Sequence, residues 1–455
     1  MAIQHNTIMS LPDISIKGQL SAPVTGVSID TRTLNAGDLF VAFSGAQVDG
    51  HDFIPKAISR GASAVMASTV WDGCESWNES VPLIITEDPV KSLADLSRMH
   101  RNRFNIPIIA ITGTNGKTTT KNLLSHFLGT KYSVLSTIGN LNNHIGLPLT
   151  LLSLNETHDF AVIEMGASQK GDIKYLCEIA HPNQGLITNI SMAHTEFFHN
   201  IDTIQHTKGE LFSYLREHDG QIFANLDDLR VKQLAESLNT AISFGFHTGP
   251  GVVFDLIEPD EQGFYSLRFN NNLIHLPQVG KAFALNAAAA MTMAMHNGVS
   301  QEEIEKSLDT YRGEAGRMQF LPVNNIHFYN DAYNANPAST RSGIETIQAM
   351  VATGRKILIF ADMLELGDQS RDFHLRIADL ILNAKFDFVF LFGLEVMVIA
   401  QKFEDAGYST FYHNVDKAAT IQHFLRQVAA GDLVYLKGSR SMKLEDFITA
   451  YKERN

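Results

Sequence analysis

Short apolar runs recur along this chain without polar alternation: Ile108 to Thr112, Phe160 to Gly166, Gly185 to Ile190, Lys356 to Ala361, Asp387 to Phe392 and Leu433 to Lys437. Runs of this kind suit strands buried on both faces, as in parallel sheets covered by helices on each side. Between them lie segments with helical spacing. Residues 119–128 place Leu123, Leu124, Phe127 and Leu128 on one side, and 54–60, 90–104, 282–296, 339–351, 374–383, 394–406 and 415–429 also read as helices. Strand and helix alternate, so the fold class is α/β. From Gly251 to Val279 the pattern changes to alternation, with turns at Asp260-Glu-Gln-Gly263 and Asn270-Asn-Asn272, which predicts antiparallel hairpins on the edge of the central domain. Residues 1–83 form a small α/β unit of short strands, and a linker is expected near Val81 to Asp88. The predicted domains are 1–83, 84–313 and 314–455.

Composition narrows the class. At 455 residues the chain exceeds one ordinary core and suits about three. Hydrophobic content of 44% with 19% charged residues describes a water-soluble protein, and the net charge of −13 argues against a general nucleic-acid surface. Any anionic ligand must then be held by placed residues. The two cysteines, Cys74 and Cys177, make no disulfide framework, which agrees with a reducing cytoplasm. Residues 1–13 carry no signal-peptide pattern, and the apolar stretch 386–400 is too short to span a membrane and contains Asp387 and Glu395.

The strand at Ile108 runs into Gly113-Thr-Asn-Gly-Lys-Thr-Thr119 and then a helix. In that geometry the backbone N–H groups of Thr114 to Thr118 converge at a helix N-terminus, Lys117 adds a mobile positive charge, and the Thr118 hydroxyl can reach a metal. The expected guest is a nucleoside triphosphate with Mg²⁺. The bland alternative is an ordinary glycine turn, because only Thr114 and Asn115 separate Gly113 from Gly116, fewer than the usual phosphate loop has.

Other polar residues sit where strands end, the edge at which open parallel sheets place ligands. Glu164 closes a buried run, and an unpaired carboxylate there would cost several kcal/mol, so a nearby cation is expected. His194 trails the next strand and reads either as a structural histidine or a metal ligand. Lys208 reads either as a solvated helix lysine or a site residue, and Asn286 either as a helix-surface residue or a base contact. Asn140, Asn142 and Asn143 lie in an amide-rich loop that must hydrogen-bond itself or a polar ligand. In the N-terminal unit Ser28, Asp30, Thr31 and Arg32 could hold a diphosphate or a uracil, with Gly45 allowing close approach; Asp30 with Arg32 reads equally as a surface ion pair. In the C-terminal unit Asp331-Ala-Tyr-Asn-Ala-Asn-Pro337, Asp362-Met-Leu-Glu-Leu-Gly367 and Lys437-Gly-Ser-Arg440 each follow a strand. They should line one cleft and bring Tyr333, Asn334, Asn336, Lys437, Ser439 and Arg440 toward a substrate. No Gly-x-Gly-x-x-Gly follows a first strand, which disfavours a dinucleotide cofactor.

These motifs together resemble the Mur ligase family over essentially the whole length. The loop Thr112-Gly-Thr-Asn-Gly-Lys-Thr-Thr-Thr120 is similar to one shared with folylpolyglutamate synthases. The Asn140 to Pro148 segment and the three C-terminal motifs resemble the branch adding D-alanyl-D-alanine to UDP-N-acetylmuramoyl-tripeptide. The resemblance implies a UDP-substrate-binding N-terminal domain, a central phosphate-loop ATPase-type domain and a C-terminal Rossmann-like ligase domain. It implies an ADP-forming ligase of cell-wall peptidoglycan synthesis that activates a carboxylate as an acyl phosphate. Its partners would be the UDP-linked tripeptide and the dipeptide, with no nucleic acid and no membrane span, in a cytoplasmic monomer. It implies ATP and two Mg²⁺ as cofactors. Carried over by residue, Thr118, Glu164 and His194 resemble the metal ligands or their neighbours, and Lys208 the lysine carbamylated in several members. Asn286, Arg317 and Asp331 resemble contacts to adenine, phosphate and ribose; Asp30, Thr31 and Arg32 with Asp49 and His51 resemble the uridine-diphosphate region. Three segments depart from the pattern: Gly280-Lys-Ala-Phe283 stands where Gly-x-His-Asn is usual, Ser168-Gln169 where Asn-His is, and His194-Thr-Glu-Phe-Phe198 where His-Leu-Glu-Gly-Phe is. The alternatives are another amide ligase of the superfamily, either the third-residue-adding enzyme or a folylpolyglutamate-synthase-like one, and a catalytically weakened regulatory homologue. The absence of an Asp-Asn-Pro-Arg motif disfavours the third-residue-adding enzyme.

Overall fold

The protein was analysed as a computed structural model, which describes residues 3–45, 47–77, 81–192, 198, 200–236, 240–247 and 251–454. The apolar runs become strands of three main sheets. The central sheet has seven parallel strands in the order Val252–Val253, Ile242–Gly245, Gln221–Asn225, Gln184–Ile187, Ile108–Thr112, Phe160–Glu164 and Val134–Ser136. Successive side chains of a strand point to opposite faces. Ile109, Ile111, Val162 and Leu186 accordingly enter one core while Ile108, Ala110, Ile163 and Ile187 enter another. Each fully buried aliphatic side chain contributes roughly 1.5–3 kcal/mol, which is why these runs carry no polar alternation.

Helix Lys117–Leu128 covers the first of these cores and lies along Lys281–His296. Ala284, Ala287 and Ala288 are small enough to let Leu123, Leu124 and Phe127 pack deeply between the two helices. The expected hairpins form a three-stranded antiparallel sheet of Asp255–Ile257, Phe264–Phe269 and Asn272–Val279.

The N-terminal sheet runs Ile14–Lys17, Leu83–Thr86, Ala64–Ser68, Asp38–Val41 and Gly26–Ser28, parallel except at its first strand. Here the expectation needs correction. The segment read as a linker contains a strand, Leu83–Thr86, buried throughout, so a boundary after residue 83 cuts the N-terminal sheet. Four apolar or β-branched residues between Pro82 and Asp88 suffice for a strand when two neighbours cover them. The C-terminal sheet has six strands, Gln319–Val323, Ile326–Asp331, Leu433–Lys437, Lys356–Ala361, Phe388–Phe392 and Phe411–Asn414. All are parallel except Gln319–Val323, an unpredicted antiparallel edge strand containing Pro322, which an edge tolerates. The helix Glu445–Arg454 was likewise not predicted. Both cysteines are buried and free. Among the described residues no helix is long and apolar enough to cross a membrane.

Candidate active site

A cavity of about 1370 Å³ opens where the carboxyl ends of the central and C-terminal strands face each other. It gathers residues far apart in the sequence: Gly113 to Thr119, Asn140, Asn142, Asn143, Glu164, Lys208, Asn286, Arg317, Asp331, Tyr333, Asn334, Asn336, Lys437, Ser439 and Arg440. All three C-terminal motifs reach it, the middle one through Leu364 and Glu365. Ser28, Asp30, Thr31, Arg32, Gly45, Asp49 and His51 do not line it. His194 lies outside the described residues.

The loop is tighter and more committed than its sequence suggests. Gly116 takes φ +81° at the N-terminus of helix Lys117–Leu128, a left-handed conformation that favours glycine, and a Cβ there would run into the Asn286 side chain. The Thr114 N–H donates to Asn189 O at 2.9 Å and the Asn115 N–H to Asn189 Oδ1 at 3.1 Å. These two amides were expected to face the ligand and instead brace the loop. The N–H groups of Gly116, Lys117 and Thr118, in a helical first turn that leaves them no intrahelical acceptor, remain at the cavity wall. Thr188 Oγ1 donates to Asn115 O at 2.6 Å and Thr114 Oγ1 donates to Ser191 O at 3.1 Å, completing the brace. Asn189 and Ser191 were missed in the sequence, and the only trace was their position just past a strand that ends beside the loop.

Cations crowd the loop. The Lys117 ammonium folds back onto Gly113 O at 3.0 Å and Thr114 O at 3.1 Å; burial lowers its pKa, nearby Glu164 opposes that shift, and Arg317 adds to it. Arg317 donates through Nη2 to Thr118 Oγ1 at 2.9 Å and through Nε to Glu314 Oε2 at 2.7 Å. Its guanidinium also stacks 3.9 Å from the centre of the Tyr333 ring. The Thr118 hydroxyl, expected at a metal, therefore serves first as the acceptor for Arg317. Asn336 Nδ2 donates to Asn115 Oδ1 at 2.8 Å, a second tie between the C-terminal unit and the loop.

Glu164 is 2% exposed. Its Oε1 accepts from Asn142 Nδ2 at 2.7 Å, and its Oε2 is buried with no hydrogen-bond partner among the described residues. A buried bare carboxylate oxygen on a cavity wall is costly without a cation and is the donor a hard divalent ion takes. Among the described residues no three His, Cys, Asp or Glu side chains cluster as a complete metal cage. That donor set fits Mg²⁺, which keeps several waters and binds through one or two protein oxygens plus substrate phosphates. Lys208 sits on helix Ile201–Glu217, 5% exposed, with no acceptor for its ammonium among the described residues; burial pushes its pKa well down and Lys117 adds repulsion. It is not a solvated lysine.

Several expected contacts are structural. Lys437, 2% exposed, donates to Asp331 Oδ2 at 2.7 Å and Asn334 O at 2.9 Å. Asp331 also accepts from the Tyr435 hydroxyl at 3.2 Å and the Met318 N–H at 3.1 Å, so neither charge is free for a ligand without rearrangement. Asn143 Oδ1 accepts from the Ile145 and Gly146 N–H groups at the start of helix Gly146–Leu151. Ser439 Oγ accepts from Leu364 N–H at 2.8 Å, and Arg440 pairs with Glu445 at 2.7 Å. In the N-terminal unit the buried His51 ring uses both nitrogens, on Asp49 Oδ1 at 2.6 Å and on the Ser68 N–H at 3.2 Å. Without a ligand, His51 and Asp49 brace their own loop. Arg32 and Asp30 do form the surface ion pair, fork to carboxylate, with Arg32 exposed.

Comparison with known proteins agrees with this architecture. The Mur ligase middle domain matches residues 111–294, the Mur ligase glutamate ligase domain residues 316–440, and the Mur ligase family catalytic domain residues 23–100. The chain is similar to the UDP-N-acetylmuramoyl-tripeptide--D-alanyl-D-alanine ligase of Bacillus subtilis, 33% identical with 95% of each chain covered. It is also similar to the ligase so named in Escherichia coli, 30% identical with 98% of each covered. Among solved structures it resembles MurF from Acinetobacter baumannii (TM-score 0.86, 25% identity, 100% and 99% covered). It resembles as well the MurF ligase from Thermotoga maritima in complex with ADP (TM-score 0.82, 27% identity, 96% and 99% covered).

Proposed function

Because the chain belongs to the Mur ligase family, we propose that it joins D-alanyl-D-alanine to UDP-N-acetylmuramoyl-tripeptide with conversion of ATP to ADP and phosphate. The observation that carries this reading is the cavity itself, where a phosphate loop, a buried bare carboxylate and an arginine from the next unit meet. Full-length similarity to ligases of that name supports the substrates, and two buried free cysteines agree with a reducing cytoplasm.

A carboxylate does not form an amide unaided, because its oxygen is a poor leaving group. In the proposed reaction the terminal carboxylate oxygen of the tripeptide attacks the γ-phosphorus of ATP, the bond to the β-phosphate oxygen breaks, and ADP leaves. The dipeptide amine then attacks the acyl carbon, loses a proton, and expels phosphate carrying the former carboxylate oxygen. The protein's task is to hold anions together and offset their repulsion. The amides of Gly116, Lys117 and Thr118 cradle phosphate oxygens at the helix N-terminus. Lys117, released from Gly113 O and Thr114 O, follows the phosphates, and Arg317, held by Glu314 and Tyr333, turns from Thr118 to the transferring group. Glu164 and the Thr118 hydroxyl would hold Mg²⁺, which when bound screens the phosphate charge. Asn286 is assigned to the base, Asp331 to the ribose, and Ser28, Asp30, Thr31 and Arg32 to the uridine diphosphate end.

Burial pushes the Lys208 pKa well down, a shift that favours the neutral, nucleophilic amine. Attack of that amine on CO₂ with loss of a proton would give a carbamate, whose anionic oxygen would suit a second Mg²⁺ where the ammonium would repel it.

Lys117→Ala should lower phosphate release at least about 100-fold, the order seen when one preorganised charge stabiliser is removed. Near-normal turnover would refute the loop's role. Lys208→Ala should be inactive and regain activity with short-chain carboxylic acids; no rescue, and no bicarbonate dependence of the parent protein, would reduce Lys208 to a buried structural lysine.

A further inference from the structure

One turn beyond Lys117 on the same helix lies Lys121, a buried cation that the reaction above does not use. It is 4% exposed and is not part of the cavity wall. Its ammonium donates to Thr137 O at 2.6 Å. Thr137 is itself buried, and its Oγ1 accepts from the Glu164 N–H at 3.0 Å. Lys121 therefore holds, through one residue, the backbone that carries the bare Glu164 carboxylate. Glu314, which fixes Arg317 from the C-terminal side, also lies within electrostatic reach.

The charges around the loop explain why a cation is kept there. Lys117 is folded onto loop carbonyls, Arg317 is spent on Glu314 and Thr118, and Lys437 is spent on Asp331. Glu164 and Glu314 lie on the cavity wall together with Asp172, Asp331 and Glu365, so an incoming polyanion meets carboxylates there as well. Burial lowers the Lys121 pKa, and the carboxylates of Glu164 and Glu314 oppose that shift and favour the ammonium.

We propose that Lys121 is a positioning residue, the fixed counter-cation behind the phosphate loop that neutralises Glu164 and Glu314 and anchors Thr137 beneath Glu164, so that nucleotide phosphates can enter. The inference rests on the nucleotide-binding reading. It assigns no contact between Lys121 and substrate, and its signature is phosphate-specific and metal-sensitive.

The test is calorimetric binding of ADP and of adenosine to the full chain, in EDTA and in saturating Mg²⁺. Lys121→Met keeps the stem and deletes the charge. ADP affinity in EDTA should fall about tenfold, the order expected for one full charge near a site of intermediate effective dielectric. In Mg²⁺ the loss should shrink to about threefold, since the metal takes over the neutralisation, and adenosine affinity should not change. Adding Glu314→Gln to Lys121→Met should restore part of the EDTA affinity. Lys121→Arg, which keeps the charge, should stay near the parent and serves if Lys121→Met does not fold. ADP affinity within twofold in EDTA, equal losses for ADP and adenosine, or a Lys121→Arg protein as weak as the charge deletion would overturn the proposal. No ADP binding by the parent protein would instead overturn the nucleotide reading on which it rests.

Discussion

Lys437→Met isolates the ion pair that anchors the last parallel strand to the cavity. Lys437 and Asp331 side chains are 2% and 15% exposed and meet at 2.7 Å. Removing one partner of a buried pair typically costs about 3–5 kcal/mol, because the other charge stays buried without its counter-ion. Asp331 keeps the Tyr435 hydroxyl at 3.2 Å and the Met318 N–H at 3.1 Å, so the expected loss is reduced to about 2–4 kcal/mol. Adding Asp331→Asn removes the stranded charge, and the double variant should recover at least about 1.5 kcal/mol of that loss. Tryptophan fluorescence would miss the effect, since the chain's two tryptophans, Trp71 and Trp77, pack in the N-terminal unit. Hydrogen exchange of the Ile326–Asp331 and Leu433–Lys437 amides at rising urea reads it locally. A loss under about 1 kcal/mol, or a double variant no more stable than Lys437→Met, would show that Lys437 is free for a ligand and that the pair is incidental.

Gly343→Ala should destabilise the C-terminal unit by about 1–3 kcal/mol, as overpacking does, because a Cβ there overlaps the Tyr435 hydroxyl that reaches Asp331; an unchanged melting temperature would refute that packing. His100 and His374 are buried, and burial holds both below the ordinary value near 6.5. Below that pH the unfolded chain binds protons that the folded chain does not, so stability should fall as pH drops from about 6.5 toward the folded values. The slope is at most about 1.4 kcal/mol per pH unit for each histidine. Calorimetric unfolding from pH 7.5 to 5.5 checks this, with His374→Gln expected to flatten the slope and a slope unchanged by that substitution counting against it.

The repeated strand and helix signals carried the α/β architecture because buried parallel strands need unbroken apolar runs, a pattern that survives without knowledge of neighbours. Leu83–Thr86 was lost for the complementary reason: four residues beside a proline look like a connector until two other strands are known to flank them. Within the site, residues at strand ends were legible, since strand polarity alone brings Asp331, Glu164 and Lys437 to facing edges. Their partners were not. Nothing local joins Arg317 to Thr118, 199 residues away, or Asn336 to Asn115, 221 residues away. The same holds for His51, whose second nitrogen accepts from the Ser68 amide at the end of strand Ala64–Ser68. Lys121 is the clearest case, a residue just past the loop motif to which no sequence signal points and which the fold buries.

The central claim is that the phosphate loop exists to activate a carboxylate. The most direct measurement follows ¹⁸O placed in both oxygens of the terminal carboxylate of UDP-N-acetylmuramoyl-tripeptide, incubated with ATP, Mg²⁺ and D-alanyl-D-alanine. Attack on the γ-phosphate and later expulsion of phosphate predict one ¹⁸O atom in each released phosphate, formed together with the pentapeptide product and ADP. Unlabelled phosphate, or ADP formed at the same rate without the tripeptide, would contradict it.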